Sequence, residues 1–459
     1  MALAVRPVSR FNFNPPEESV MAKINKFMPA RTHEGAKGRA FGPEQELRRA
    51  VMNSLLWEDQ FYENGVSIAE RIAGLVPAVA PETVVEIAIS AREDMKLRHV
   101  PLLIVREMAR HPEHRKLVAD TLARIIQRPD ELTEFLAIYW MDALGSMQQR
   151  KKAAVSAQAK KGLARAFTKF DAYQLAKYDR DGAVRLRDVL FLVHPKPKDA
   201  EQEKVWKQLA EGTLASPDTW EVSLSAGADK RETFERLIAE KKLGALALLR
   251  NLRGMQVAGV PKRTIAAALN DMRVDRVLPY RFIAAARFAP DLEPELEKAM
   301  FRSIEGHAQL TGKTTLLVDV SGSMSWEMSR QSVMTRLDAA CGLAVLAREV
   351  CKDVEIFTFS NEVVKVPPRR GFALRDAILA SQPHGGTQLG AAVAKVDRKG
   401  RRLIVFTDEQ SHDRVEAPKG LGYMVNVASY QHGVGQGDWQ RIDGFSEKIL
   451  DWIIASEAR

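Results

Sequence analysis

Residues 316–324, Leu316-Leu317-Val318-Asp319-Val320-Ser321-Gly322-Ser323-Met324, decide the fold of the last third of the chain. The leucines and valines of this stretch predict a fully buried strand of a parallel sheet. The aspartate and the two serines place a carboxylate and two hydroxyls at the carboxyl end of that strand, where open α/β sheets bind ligands. Because all three are hard oxygen donors, they suit Mg²⁺ or Mn²⁺ and suit zinc poorly.

This stretch resembles the metal-ion-dependent adhesion site, D-x-S-x-S, of von Willebrand factor A domains. That family takes two further ligands from later loops, a threonine and an aspartate. Thr387 follows a Gly-Gly pair just before a helical pattern, and Asp408 ends the apolar run 403–407. The five-residue pattern alone also arises by chance in polar turns, but the order of these three segments favours a metal site. The resemblance implies five ligands to the cation: Asp319, Ser321, Ser323, Thr387 and Asp408.

The composition indicates a soluble globular protein of two or three domains. The chain has 459 residues, of which 46% are hydrophobic and 28% charged, with a formal net charge of +9. Two cysteines cannot build a disulfide framework, which fits a reducing cytosol. We expect no secretion signal and no membrane span, since no window of 18 apolar residues occurs.

The chain changes in character near residue 311. We predict an irregular N-terminal arm over 1–42, because this segment is rich in Pro, Gly, Arg and Asn. Residues 43–311 have helical periodicity with almost no strand signal, so an α-solenoid of HEAT-like repeats is expected, with prolines such as Pro81 and Pro129 at the corners. Residues 312–459 alternate strands and helices, which predicts an α/β domain with a mostly parallel sheet.

The predicted elements of the α/β domain follow from its apolar runs. Strands are expected near 314–319, 354–359, 402–407 and 423–428. Helices near 330–350, 373–382, 388–397 and 445–456 should cover the two faces of the sheet.

The positive charge is concentrated in one segment. Residues 150–198 contain 13 basic and 4 acidic residues, a net charge equal to that of the whole protein. Lys161, Arg165 and Lys169 recur every four residues and are expected on one face of a helix, whose opposite face is apolar. A row of like charges destabilises a helix by about 0.2–0.5 kcal/mol per pair, which a bound polyanion would offset. An ordinary solvated helix face is the alternative.

This helix leads into residues 177–195, where cations, Tyr178 and His194 lie in a predicted helix-turn-helix. Neutralised phosphates and stacked, unpaired bases are the means by which single-stranded RNA is held. The pattern therefore favours RNA binding, although His194 could instead be a structural residue that caps a helix next to Pro195.

The same segment resembles the Ro autoantigen (TROVE-domain) family. Lys177-Tyr178, the Arg-Asp-Gly turn 180–182, Asp188-Val189-Leu190 and His194-Pro195-Lys196-Pro197 are similar to its K-Y…R-N-G…D-L-L-R-L-x-H-x-K-P segment, and 162–167 to its G-R-A-L-R-K-A run. Here the turn is one residue shorter, and Phe191 replaces an arginine. With helical repeats followed by a von Willebrand factor A domain, the resemblance covers essentially the whole chain.

The resemblance implies a ring of helical repeats closed by the α/β domain. It implies that Y-type small noncoding RNAs bind the outer face and that single-stranded 3′ ends of misfolded RNAs enter the hole, in RNA quality control. Lys177, Arg180 and His194 are the implied contacts, and Arg185 and Arg187 are expected to compensate for the shorter turn. The complete set of expected RNA-binding residues is Lys161, Arg165, Lys169, Lys177, Arg180, Arg185, Arg187 and His194.

Two classes of function remain open from the sequence. One is a non-catalytic, cytoplasmic RNA-binding protein, monomeric and without a membrane partner, that works with small noncoding RNA and an RNA-processing nuclease. The other is a metal-dependent protein–protein adaptor, whose acidic protein ligand occupies the open position on Mg²⁺ or Mn²⁺. The concentration of charge in 150–198 favours the first.

Overall fold

The computed structural model describes residues 31–32, 41–52, 65–141, 154–275, 277, 279–305, 308–328, 334–428, 430, 432–435, 437–445 and 448–457. The predicted N-terminal arm, 1–42, lies almost entirely outside the described residues.

The described part of 43–305 is helical, as predicted. Its helices are α1 (Pro43–Met52), α2 (Gly65–Leu75), α3 (Pro81–Glu93), α4 (His99–Arg110), α5 (Val118–Ile125), α6 (Pro129–Tyr139), α7 (Ala157–Phe167), α8 (Ala172–Tyr178), α9 (Leu186–Val193), α10 (Ala200–Glu211), α11 (Trp220–Ser225), α12 (Lys230–Ala239), α13 (Ala245–Val257), α14 (Lys262–Asp271), α15 (Tyr280–Phe288) and α16 (Glu293–Ile304). Pro81 and Pro129 are first residues of helices, where the missing N–H has no intrahelical partner to lose.

The C-terminal part is a six-stranded sheet with helices on both faces. The strands are β1 (Leu310–Asp319), β2 (Cys351–Phe359), β3 (Val363–Val366), β4 (Arg402–Thr407), β5 (Gly422–Asn426) and β6 (Gln440–Asp443). The helices are α17 (Arg336–Val350), α18 (Gly371–Leu379), α19 (Leu389–Val396) and α20 (Lys448–Glu457). The strand order is β3-β2-β1-β4-β5-β6, and every neighbouring pair is parallel except β2 and β3. The mostly parallel sheet is thus confirmed.

The two faces of β1 belong to different apolar clusters. Leu316 and Val318 pack in a cluster that includes α17 and α20, and Leu317 packs in another with Leu389 and Val393 of α19. Because both faces are covered, the second half of the strand is apolar over 316–318, whereas 311–313 at its beginning are exposed. Asp319 ends the strand at its carboxyl end.

The apolar clusters do not follow the predicted domain boundary at 311/312. One cluster joins residues of α1 to α10, from Leu47 to Leu209. A second runs from Phe234 in α12 to Ile453 in α20, and it includes one face of the sheet. The later helices of the array therefore share their core with the α/β region.

Both ends of the helical array contact the α/β region. At one end, Arg49 of α1 pairs with Glu409, which follows β4. At the other, Arg287 of α15 donates to Asp338 of α17 at 2.6 Å, and Arg375 of α18 donates to Glu293 at 2.8 Å.

Two further findings bear on the sequence predictions. Cys341 and Cys351 are both buried free thiols. Among the described residues, no helix combines the length and the apolarity that crossing a bilayer requires.

Candidate functional site

Three loops meet at the carboxyl edge of the sheet. β1 and β4 are adjacent, and Thr407 Oγ1 of β4 donates to Asp319 Oδ2 at 2.7 Å. Gly322 N donates to Gly385 O at 2.8 Å, which joins the first loop to the Gly-Gly-Thr loop. His412 N donates to Thr387 O at 2.9 Å, which joins that loop to the one after β4. These contacts bring together the three loops that contain Asp319, Ser321, Ser323, Thr387 and Asp408.

The carboxylates of this site lie in the protein interior. Asp319 and Asp408 are both fully buried, and Ser321 and Thr387 are buried beside them. Burial, and after it the neighbouring Asp408 carboxylate, raises the pKa of Asp319 to about 7. Two buried carboxylates are unfavourable together unless a cation compensates them.

The oxygen atoms available at this edge suit a small divalent cation. Asp319 Oδ1 accepts from Ser321 N at 2.9 Å, which turns the loop back over the strand end. The hydroxyls of Ser321 and Ser323 lie 3.3 Å apart. Two carboxylates and three hydroxyls are hard donors of the kind that Mg²⁺ and Mn²⁺ take. The residues therefore fit the cation that was expected from the sequence, and its binding stays a prediction.

The structure adds an arginine that the sequence analysis missed. Arg336, the first residue of α17, is buried, and its Nη1 lies 3.5 Å from Asp408 Oδ2. A cation in the first turn of a helix is electrostatically unfavourable. This unfavourable position at the start of a helix is the only signal in the sequence that could have pointed to a role for Arg336 at the site.

A second missed feature lies directly after Asp408. Glu409 is fully buried and has a left-handed backbone, with φ of 58°. Arg49 pairs with it, and Arg49 Nε also donates to Tyr430 O at 2.6 Å. Since 360 residues separate Arg49 from Glu409, no local pattern could have revealed the pair.

The basic face of α7 is exposed, as predicted, but two of its cations have intramolecular partners. Lys161 is exposed, and Arg165 pairs with Asp120 at the surface. Lys169 lies beyond the end of α7, and its Nζ donates to Ile126 O at 2.8 Å and to Ala123 O. Lys169 therefore caps the C-terminal end of α5, while its contact with RNA stays a prediction.

The cations of α8 and α9 lie around the turn between these helices. Arg180 is exposed, and Lys177, Arg185 and Arg187 are half-buried. Arg185 pairs with Asp181 at 2.9 Å across the turn.

His194 has the structural role that was considered, while its contact with RNA stays a prediction. Its backbone is left-handed, with φ of 44°, and its N–H donates to Leu190 O at 3.0 Å, so it caps α9. Its imidazole side chain is exposed. The cap is made by the backbone, which leaves the ring in solvent next to Pro195.

Two clefts adjoin α8. The first, here called the Arg180 cleft, has a volume of about 270 Å³ and is lined by Lys177, Arg180 and several residues of 214–222. The second, here called the Tyr173 cleft, has a volume of about 580 Å³ and is lined by Tyr173, Lys177 and residues of 219–221, 242–250 and 273–277. Two residues with predicted RNA contacts thus lie on the walls of concave surfaces.

The fold defines a class of protein that combines two features. Its helical array carries a basic surface around α7, α8 and α9, and its mostly parallel sheet carries a polar site at the carboxyl edge. The TROVE domain model matches residues 44–212 and 211–356, more than half of the chain. The chain belongs to the TROVE-domain family, that of the Ro autoantigen. The two matched segments divide at the same place as the two large apolar clusters.

The fold also matches a solved structure, the crystal structure of Deinococcus radiodurans RO (RSR) protein. The identity is 19% and the TM-score 0.55, over 80% of this chain and 86% of that chain. At this identity the likeness shows the fold alone. A comparison with curated proteins gave no match.

Proposed function

We propose that this protein is a non-catalytic, cytoplasmic RNA-binding protein that forms a ribonucleoprotein with small noncoding, Y-like RNAs. On this proposal it also accepts single-stranded 3′ ends of misfolded RNAs and acts in RNA quality control. Membership of the TROVE-domain family supports RNA binding in general. The observation that carries the proposal is the pair of clefts beside α8, with Lys177 on both and Arg180 on one.

The surface around these clefts has the chemistry that unpaired RNA needs. Lys161, Arg180 and His194 are exposed, so their charged or aromatic groups can reach a strand. Tyr173, on the wall of the larger cleft, is 49% exposed. Cations neutralise phosphates, and an aromatic face stacks on a base at about 1–3 kcal/mol per base.

A closed ring is part of the proposal. The helical array begins with α1, which contacts the loops at the carboxyl edge of the sheet, and ends with α15 and α16, which contact α17 and α18. These contacts at both ends support the closure of the HEAT-like array by a von Willebrand factor A-like domain.

The metal site is a separate part of the proposal. Asp319, Ser321, Ser323, Thr387 and Asp408 would hold Mg²⁺ or Mn²⁺, directly or through water. When bound, the cation supplies a Lewis-acidic position that accepts a carboxylate from an acidic protein ligand, such as a surface loop of an RNA-processing nuclease.

A metal-dependent protein–protein adaptor is the second candidate function. Trp326 follows the D-x-S-x-S loop and is 55% exposed. Tryptophans are enriched among the residues that contribute most binding energy at the centres of protein interfaces. This residue favours the adaptor independently of the basic segment.

The test of RNA binding is a gel-shift titration of one structured RNA with and without a single-stranded 3′ tail, at two salt concentrations. We expect tighter binding of the tailed RNA, since only an unpaired strand can thread a narrow hole. The double variant Lys177→Glu/Arg180→Glu should weaken binding and reduce the salt slope, by about 0.7 for each phosphate that is no longer neutralised.

The matched control is Arg398→Glu/Lys399→Glu, which makes the same change in charge at two exposed residues just before β4, at the opposite edge of the sheet from the loops. It should retain nearly full RNA affinity. Equal affinity for tailed and blunt RNA, together with no weakening in the Lys177/Arg180 variant, would refute recognition of RNA 3′ ends at these clefts and leave the adaptor as the candidate function.

A further inference from the structure

An acidic residue lies between the two clefts of the basic surface. Glu221 lines both the Arg180 cleft and the Tyr173 cleft, and Lys177 and Thr219 are the other residues common to both. Glu221 was not singled out by the sequence, because one glutamate at the start of a short helix is unremarkable.

One oxygen of the Glu221 carboxylate lacks a hydrogen-bond donor. Its Oε2 is buried, and among the described residues it accepts no hydrogen bond. A buried acceptor without a partner destabilises a protein, and a charged one does so more strongly. The terminal torsion of a glutamate side chain is soft, so its oxygens can turn to meet a donor that arrives from either cleft.

Glu221 as a whole is half-buried, and its position in the first turn of α11 does not account for the burial of Oε2. An acidic residue there interacts favourably with the helix N-terminus. An exposed carboxylate provides that interaction equally well, as Glu201 and Glu203 do in the first turn of α10. The burial of Oε2 without a donor therefore needs a separate explanation.

Phosphate binding does not explain the presence of the Glu221 carboxylate in the cleft either. The rim of the Tyr173 cleft carries Lys177, Lys242 and Arg250, which would attract an RNA backbone. A carboxylate among them repels that backbone and lowers its affinity. A carboxylate in this position has a use in RNA binding if it accepts hydrogen bonds from a base.

We propose that Glu221 reads an unpaired guanine that enters the Tyr173 cleft. Guanine presents two adjacent N–H donors, N1–H and the N2 amino group, on its Watson–Crick edge, which match the two oxygens of a carboxylate. Single-stranded RNA is recognised by such contacts to splayed-out bases together with stacking on aromatic side chains. Tyr173 supplies the aromatic face, and Lys177 neutralises the adjacent phosphate. This inference rests on the proposed RNA binding and adds base preference to it.

The experiment compares three RNA hairpins that differ only in their single-stranded 3′ tails. The tails alternate uridine with guanosine, with inosine, which lacks the N2 amino group, or with adenosine. Dissociation constants are measured by fluorescence anisotropy for the natural protein, for Glu221→Gln and for the control Glu201→Gln. Thermal unfolding of each variant verifies that it is folded.

We expect the natural protein to bind the guanosine tail about tenfold more tightly than the adenosine tail, with the inosine tail between them. Glu221→Gln should lose this preference while it still binds the adenosine tail, and Glu201→Gln should keep it. Lys177→Ala should weaken binding to all three tails by a similar factor.

The possible outcomes distinguish the recognition of guanine from RNA binding in general. Equal affinity of the natural protein for the three tails, or an unchanged guanosine preference in Glu221→Gln, would overturn base reading and leave RNA binding intact. Failure of every tail to bind would overturn RNA binding itself, and base reading with it.

Discussion

Asp319 shows how one buried carboxyl couples pH, metal and stability. Its pKa is raised to about 7, first by burial and then by Asp408, whereas an aspartate in an unfolded chain has a pKa of about 3.9. The folded protein without metal therefore binds this proton more tightly than the unfolded chain does. The stability that results is fully present below about pH 4 and is lost as the pH rises through about 7.

Magnesium should reverse this loss, because a cation needs the ionised carboxylate. We expect Mg²⁺ to raise the thermal midpoint more at pH 8 than at pH 6. At a concentration 100 times the dissociation constant, the gain is about 2.7 kcal/mol. Asp319→Asn should abolish the response and, without metal at pH 8, should be more stable than the natural protein. The measurement is thermal denaturation against Mg²⁺ concentration, and an equal response of both proteins would contradict the metal site.

The oxygen-bearing residues at the carboxyl edge of the sheet were expected from the sequence, but the buried charged residues beside them were not. Asp319 ends a buried strand and Asp408 directly follows another, and the resemblance to the metal-ion-dependent adhesion site implied their proximity before the strand order was known. The structure adds the reason, since β1 and β4 are adjacent and parallel. Arg336 and Glu409 carry no such periodicity. They are buried by the packing of α17 and α1 against the loops, which depends on tertiary contacts that a local pattern does not contain.

At the scale of elements, the four central strands were predictable and the two edge strands were not. The strand β4 is buried along its whole length, and its residues 403–406 form a continuous apolar run. In contrast, β3 and β6 have four residues each and are mostly half-buried or exposed. Short strands with polar faces give too few alternating positions to distinguish them from loops.

The packing of α5 against α7 depends on a glycine inside a helix. A Cβ on Gly162 would lie 2.9 Å from both Ala119 O and Leu122 Cβ of α5. Gly162→Ala should therefore destabilise the protein by about 1–3 kcal/mol through overpacking, although alanine is the better helix former. The measurement is the shift in the urea midpoint followed by circular dichroism.

Gly254, in the interior of α13, is the matched control. A Cβ there would meet nothing within 4 Å. Gly254→Ala should stabilise the protein by about 0.5–1 kcal/mol, since only the helix propensity changes. A stabilising Gly162→Ala would show that α5 and α7 are not in this close contact.

At the scale of the whole molecule, one buried group of charges joins the beginning of the helical array to the sheet. Arg49 is buried, pairs with Glu409 and lies 3.6 Å from Asp443 Oδ1. Its guanidinium also stacks on Phe41, at 5.0 Å from the ring centre. Thr32 Oγ1 donates to Ser411 O at 2.8 Å nearby. We call these contacts of Arg49, Phe41 and Thr32 the seam, and they lie where the proposed ring closes.

Replacing Arg49 should open the seam. Arg49→Met keeps the length of the side chain but leaves Glu409 buried without its cation, which costs about 3–5 kcal/mol when one partner of a buried pair is removed. We expect a lower thermal midpoint and, by small-angle X-ray scattering, a larger radius of gyration.

Arg48→Met is the control, because Arg48 pairs with Glu44 and Glu86 at the surface, where such pairs contribute about 0–1 kcal/mol. The double variant Arg49→Met/Glu409→Gln should recover part of the stability, since it removes the uncompensated charge. If Arg49→Met behaved like Arg48→Met in both measurements, the seam would not hold the ends of the array together.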